Sequence, residues 1–210
     1  MINQMKNLFG NKCTGIKLNT GEYKFLNKPS RQMKFCEAVN YSFSVPVELK
    51  SENIGCPGAR RSLGIEQKDN ELAGIVSENT QIPVSYVKEG LNNIPVLQTL
   101  ISNIAFGVTE EMEDELKPDV FIAYTSPENI MKFMHKSASL AIQPYIPPYS
   151  LHSICGNVFS RVFEDNVISI SFGCPESRKY GGVDADEAII GIPYDLLHFY
   201  INHRKMKPCS

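Results

Sequence analysis

Phe172-Gly173-Cys174-Pro175-Glu176-Ser177-Arg178-Lys179-Tyr180-Gly181-Gly182-Val183 is matched, far upstream, by Ile54-Gly55-Cys56-Pro57-Gly58-Ala59-Arg60-Arg61-Ser62-Leu63-Gly64-Ile65. Each reads Gly-Cys-Pro, then an Arg, then a Gly followed by a β-branched apolar residue, at equal offsets from the cysteine. A second cysteine precedes each: Cys36 lies 20 positions before Cys56, and Cys155 lies 19 before Cys174. Each upstream cysteine follows an apolar residue (Phe35, Ile154) and has a valine three positions on (Val39, Val158). The pattern reads as a diverged internal duplication with two cysteines per copy. The first repeat spans about 13–109 and the second about 118–210, packed as a single domain over 1–210. The expected fold class is α+β, two α/β repeats related by a pseudo-two-fold axis.

The elements around the cysteines follow from local chemistry. Proline suits the first helical position, so Cys56-Pro57 and Cys174-Pro175 each read as an N-cap and helix start. Cys36 and Cys155 are expected mid-helix on apolar faces, within helices over about 30–41 and 151–163. Strands are expected over 13–18, 45–49, 104–108, 118–124, 167–172 and 188–190. Of these, Val120-Phe121-Ile122-Ala123-Tyr124 is continuously apolar, as in a strand covered on both faces. Pro46 marks its strand as an edge or bulge. Ser126-Pro127-Glu128 supplies an N-cap, a first-position proline and a first-turn acid for a helix to about 141. Helices are also expected over 69–76, 84–91, 94–101 and from Pro193 to about 203. Residues 1–12 read as frayed, and 144–149, with three prolines, as an extended connector.

Bulk properties exclude several classes. The formal charge of −2 over 210 residues argues against a nucleic-acid surface. No stretch is apolar enough to span a bilayer, and residues 1–6 lack the apolar run of a signal peptide, so the cytoplasm is the expected compartment. Six cysteines in such a chain point to metal ligands, reactive thiols or buried residues before a disulfide framework. The acidic run Glu110 to Glu115 reads as a solvated face.

A cysteine at a helix N-terminus faces unpaired N–H groups and the positive end of the dipole, which favour thiolate. Cys56 and Cys174 are therefore the expected reactive pair, with Arg60, Arg61, Arg178 and Lys179 adding positive charge nearby. If the copies face each other, Cys36, Cys56, Cys155 and Cys174 converge. Four single thiolates scattered through a chain suit a 4Fe–4S cluster, each iron taking one sulfur. Structural zinc prefers close C-x2–4-C pairs, which are lacking here. A zinc site, or a metal-free ligand- or protein-binding module, is the alternative. In the iron–sulfur reading the protein works in redox chemistry, electron transfer or sensing, because a cluster with four thiolates leaves no open iron. Arg60, Arg61 and Arg178 would raise its potential and bind an anionic ligand or redox partner. A thiol enzyme using Cys56 or Cys174 as nucleophile lacks a visible base. A homo-oligomer remains open, as do the roles of Cys13 and Cys209.

His152 shares a helix face with Cys155 and reads as a core-edge histidine. His135, His198 and His203 read as surface residues. The acidic turn Gly181 to Glu187 could take a cation or an amine, though a solvated turn is the simpler reading. Phosphate-binding loops, nucleophile elbows and H-E-x-x-H motifs are not present.

Cys56-Pro57-Gly58-Ala59-Arg60-Arg61-Ser62-Leu63-Gly64, Pro118-Asp119-Val120-Phe121-Ile122 and Phe172-Gly173-Cys174-Pro175-Glu176-Ser177-Arg178 together resemble the prokaryotic family known as domain of unknown function 169, or ArCR. The resemblance covers about Cys13 to Ile201. It implies a shared fold and no particular reaction. Thr14-Gly15-Ile16 lacks the Pro-Val-Ala-type opening of the family's strand near this position. The iron–sulfur reading comes from the cysteine repeat and is not carried over from the family.

Overall fold

In the computed structural model the described residues are 1–21, 26–108, 112, 116–138 and 142–206, with side chains described through 202. The acidic residues of the run Glu110 to Glu115, Cys209 and the side chain of His203 lie outside them. A six-stranded sheet forms the middle layer, in the order β2-β3-β1-β4-β6-β5. Its strands are β1 (Cys13–Leu18), β2 (Val47–Lys50), β3 (Asn103–Phe106), β4 (Val120–Thr125), β5 (Ser169–Ser171) and β6 (Ala188–Pro193). Every neighbouring pair of these strands is antiparallel. The fold class is thus mixed α/β on an antiparallel sheet. β4, the continuously apolar stretch, is central and buried along its whole length because helices cover both faces. β2, behind Pro46, is an edge strand as expected.

One face carries α2 (Phe35–Ser42), a π-helix (Ser153–Ser160) and the short α7 (Arg161–Asp165) that continues it. Phe35, Val39, Ile154, Val158 and Phe159 pack there on Ile16, Leu49, Phe106, Ile122 and Tyr124. Phe35 joins the two halves, its ring centroid 5.1 Å from both Phe106 and Phe159. The opposite face is covered by α1 (Ile2–Phe9), α6 (Pro127–Ser137) and α9 (Tyr194–Met206). Cys13 lies in that opposite core with Phe9, Phe121, Phe133 and Tyr200.

Four expectations are corrected. The first residues are a helix, because Ile2, Met5 and Phe9 recur on one face and are buried. Residues 94–101 are not helical, and Arg61 takes the Ile94 carbonyl. α2 starts only at Phe35, after an irregular approach from Pro29. Pro193 closes β6 instead of opening α9. The remaining helices are α3 (Pro57–Ser62), α4 (Asp69–Thr80), α5 (Val84–Asn92) and α8 (Pro175–Tyr180).

Candidate cysteine-lined site

Cys56 and Cys174 are the N-cap residues of α3 and α8, each followed by proline at the first helical position. At α8, Ser177 Oγ accepts from the Cys174 N–H and donates to the Cys174 carbonyl, both at 2.8 Å. Gly173 precedes it at φ +93, a left-handed conformation that favours glycine. Arg60 and Arg178 do the same job four residues after each cysteine. Arg60 donates to the Ile54 carbonyl at 3.3 Å, and Arg178 to the Phe172 carbonyl at 2.6 Å, each two residues before its cysteine. Arg60 also pairs with Glu66 at 2.9 Å. Arg178 further donates to the carbonyls of Val183, Asp184 and Glu187. Arg61 is buried, paired with Asp69 at 2.9 Å and donating to the carbonyls of Leu91 and Ile94. These three arginines brace backbone, and none lines the cavity described below.

Cys36 is the second residue of α2, and Cys155 the third of the π-helix, so neither is mid-helix. A regular α-helix was expected at 151–163. The wider winding has visible causes. The Asn157 N–H reaches back to the His152 carbonyl at 3.0 Å, and the one Ser160 hydroxyl proton is shared between the Cys155 carbonyl at 2.9 Å and the Ser62 carbonyl at 3.0 Å. Asn157 Nδ2 donates to the carbonyls of Leu151 and Tyr149, while Ser169 Oγ donates to the Asn157 carbonyl at 2.6 Å. Ser153 and Ser171 join through their hydroxyls at 2.5 Å. Serine and asparagine thus take over backbone partners that regular winding would supply.

The helices then cross between halves. α2 packs against α8, and the π-helix packs against α3. Cys36 Sγ lies 3.8 Å from the Glu176 carbonyl oxygen. His152 sits so close to Gly58 that a Cβ there would be 2.6 Å from its Nε2. As a result Cys36, Cys56, Cys155 and Cys174 all line one cavity of about 570 Å³. Its rim includes Lys34, Glu176 and Tyr180. Lys34 pairs with Glu176 and lies 3.9 Å above the Tyr180 ring centre. Among the described residues, no three His, Cys, Asp or Glu side chains are grouped closely enough to hold a single metal ion.

Burial first, then charge on Cys56 and Cys174, pushes the Cys36 thiol up to about 12. Cys155 is raised for the same reasons, burial first, then Cys56, Cys174 and Cys36. For Cys56 burial again prevails, although the N–H groups of Ala59 and Gly58 and the Lys34 charge pull the other way. The expected thiolate at Cys56 is therefore corrected: loss of water outweighs the helix N-terminus. The cysteines inside the described residues carry no disulfide.

His152 is partly buried, in the left-handed conformation at φ 42, and lines the cavity. Removal from water, then the Arg61 charge, lowers its pKa to about 4, so the ring is neutral. Its Nδ1 has no hydrogen-bond partner. His135 and His198 are exposed on helices, as expected. In the acidic turn, Asp184 and Glu187 hold an amine of the chain itself, Lys12 Nζ, at 2.6 and 2.9 Å. Sequence reasoning missed the π-helix, the rim residues Lys34, Glu176 and Tyr180, and α4 as a cavity wall. For α4 a signal existed: Leu72, Ile75 and Val76 recur at helical spacing.

Fold and site define a three-layer α/β protein with a cysteine-lined cavity between helices of its two halves. The chain belongs to the uncharacterised ArCR family, domain of unknown function 169, whose match covers residues 12–203. No curated protein and no solved structure matches the chain. No helix among the described residues is long and apolar enough to cross a membrane.

Proposed function

We propose that the cavity holds an iron–sulfur cluster of the 4Fe–4S type, ligated by Cys36, Cys56, Cys155 and Cys174, and that the protein serves in electron transfer or redox sensing. The observation that carries this reading is the lining of a single cavity by both cysteines of both sequence repeats. A cluster spreads its thiolates around a metal–sulfide core, whereas a single zinc ion draws four sulfurs to one point. Four sulfurs brought to one cavity from four separate elements suit the former. Cys36, Cys56 and Cys155, which burial holds as thiols, would release their protons as the metal binds. Four thiolate ligands saturate four irons, so the reading assigns electron exchange and no Lewis-acid step. Arg60 and Arg178 contribute by fixing the Gly-Cys-Pro turns, and Lys34 is the cation that acts on Cys56.

The same reading includes a duplicated origin. The strand order is palindromic when β1, β2 and β3 are matched with β4, β5 and β6. The central pair, β1 with β4, is antiparallel, as an axis through its middle requires. The crossed packing of α2 on α8 and of the π-helix on α3 repeats one contact in both directions. Arg60 and Arg178 donate to equivalent carbonyls.

Anaerobic reconstitution with iron and sulfide tests the reading. The wild-type chain is expected to gain a broad visible absorption band near the blue end. Single Cys36→Ser and Cys155→Ser variants are expected to lose most of it while keeping wild-type far-ultraviolet circular dichroism. Undiminished bands in both variants would remove these residues from the ligand set.

A further inference from the structure

The cysteines occupy only part of the cavity. Its other wall is the face of α4 formed by Leu72, Ile75 and Val76, faced by Leu151. Nothing comparable stands in the second half. Between α3 and β3 the chain runs through α4 and α5, whereas between α8 and β6 it runs only through residues 181–187. Electron exchange needs no such chamber. At about 570 Å³ the whole cavity falls in the range of small-molecule sites, about 300–1,000 Å³. Leu72 is buried, but Ile75, an apolar side chain, keeps 41% of its surface exposed on this wall.

Charge narrows the occupant. The charged side chains of the lining are Lys34, Lys179 and Glu176. Lys34 is paired with Glu176, and both lysines sit over the Tyr180 ring at the rim. A cluster held by four thiolates is net anionic and would absorb what positive potential remains. Among the described residues that line the cavity, those of α4 are Leu72, Ile75, Val76, Asn79 and Thr80, none of them a cation. Asn79 and Ser150, both exposed lining residues, offer hydrogen bonds at the mouth.

We propose that the α4 side of this cavity is a binding chamber for a small, uncharged, largely apolar organic molecule, held beside the cysteine end. The charge argument rests on the cluster reading; the chamber itself does not. Isothermal titration calorimetry with 1-octanol and with octanoate tests it on the full chain, iron-loaded under anaerobic conditions and iron-free. The expected result is saturable 1-octanol binding to both forms, with octanoate at least about tenfold weaker on the loaded form. Ile75→Asp, at a half-exposed position the fold tolerates, is expected to weaken 1-octanol at least about tenfold with iron content per chain unchanged. Absence of saturable 1-octanol binding to either form overturns the proposal, as does binding that Ile75→Asp leaves intact. Octanoate binding as tight as 1-octanol to the loaded form overturns the choice of an uncharged ligand. A chain that takes up no iron yet shows Ile75-dependent 1-octanol binding refutes the cluster and supports the chamber.

Discussion

Replacing Gly191 by alanine should dislodge the π-helix that carries Cys155. Gly191 lies in β6 beneath that helix, and a Cβ there would come 2.5 Å from Val158 Cγ1 and 2.9 Å from Val162 Cγ2. Both valines are fully buried, so neither can swing into solvent. Real Cβ contacts do not approach so closely, and the strand is pinned on both sides by β4 and β5. The helix must therefore rise or a valine must leave its rotamer, an overpacking cost of about 1–3 kcal/mol. For a chain of this size each kcal/mol lowers Tm by about 2–4 °C. Gly74→Ala is the control: it is helical, a Cβ there meets nothing within 4 Å, and the change should stabilise by about 0.5–1 kcal/mol. Urea denaturation followed by circular dichroism reads both. Adding Val158→Ala to Gly191→Ala should cost less than the sum of the single changes, because the methyl that collides has gone. A Gly191→Ala protein as stable as wild type, or strict additivity with Val158→Ala, would refute the packing argument.

Further consequences follow from the buried charges and thiols. Arg61→Met leaves the Leu91 and Ile94 carbonyls without their donor and Asp69 without its partner, and should cost about 3 kcal/mol in urea denaturation. Burial raises Cys13 from 9.0 to about 11, with Lys6 opposing. The unfolded chain therefore loses this proton first, so the contribution is complete below pH 9 and is lost as pH rises toward 11. The total is about 3 kcal/mol, and Cys13→Ala should remove that share of the alkaline destabilisation. With Cys36 near 12, its thiolate fraction at pH 8 is about 10³-fold below that of an unfolded cysteine. Iodoacetamide should therefore label Cys36 in the metal-free native protein far more slowly than in urea, as peptide mass mapping would read.

The Gly-Cys-Pro stretches were the most legible part of the sequence, because proline after cysteine and arginine four positions on are local determinants. Both helix starts follow from them. β1 appears with its expected ends, since Gly21 and the polar residues around it bound a short apolar run. The π-helix was hidden because part of its cause is tertiary: Ser62 and Ser169 bond Ser160 and Asn157 from other elements. α1 was missed for a different reason. Ile2, Met5 and Phe9 form a stripe too sparse to stand out until Phe133 supplies its partner, with ring centroids 5.2 Å apart. The charge state of Cys56 was misjudged because a helix terminus is visible in sequence and the depth of burial around it is not.

Native mass spectrometry of protein purified without oxygen tests the central claim most directly. The account predicts a chain whose mass exceeds the polypeptide by one core of about four iron and four sulfide, lost together when Cys36, Cys56, Cys155 and Cys174 are all changed to serine. A chain at its bare polypeptide mass after anaerobic reconstitution, or one that keeps its iron without those four sulfurs, would contradict it.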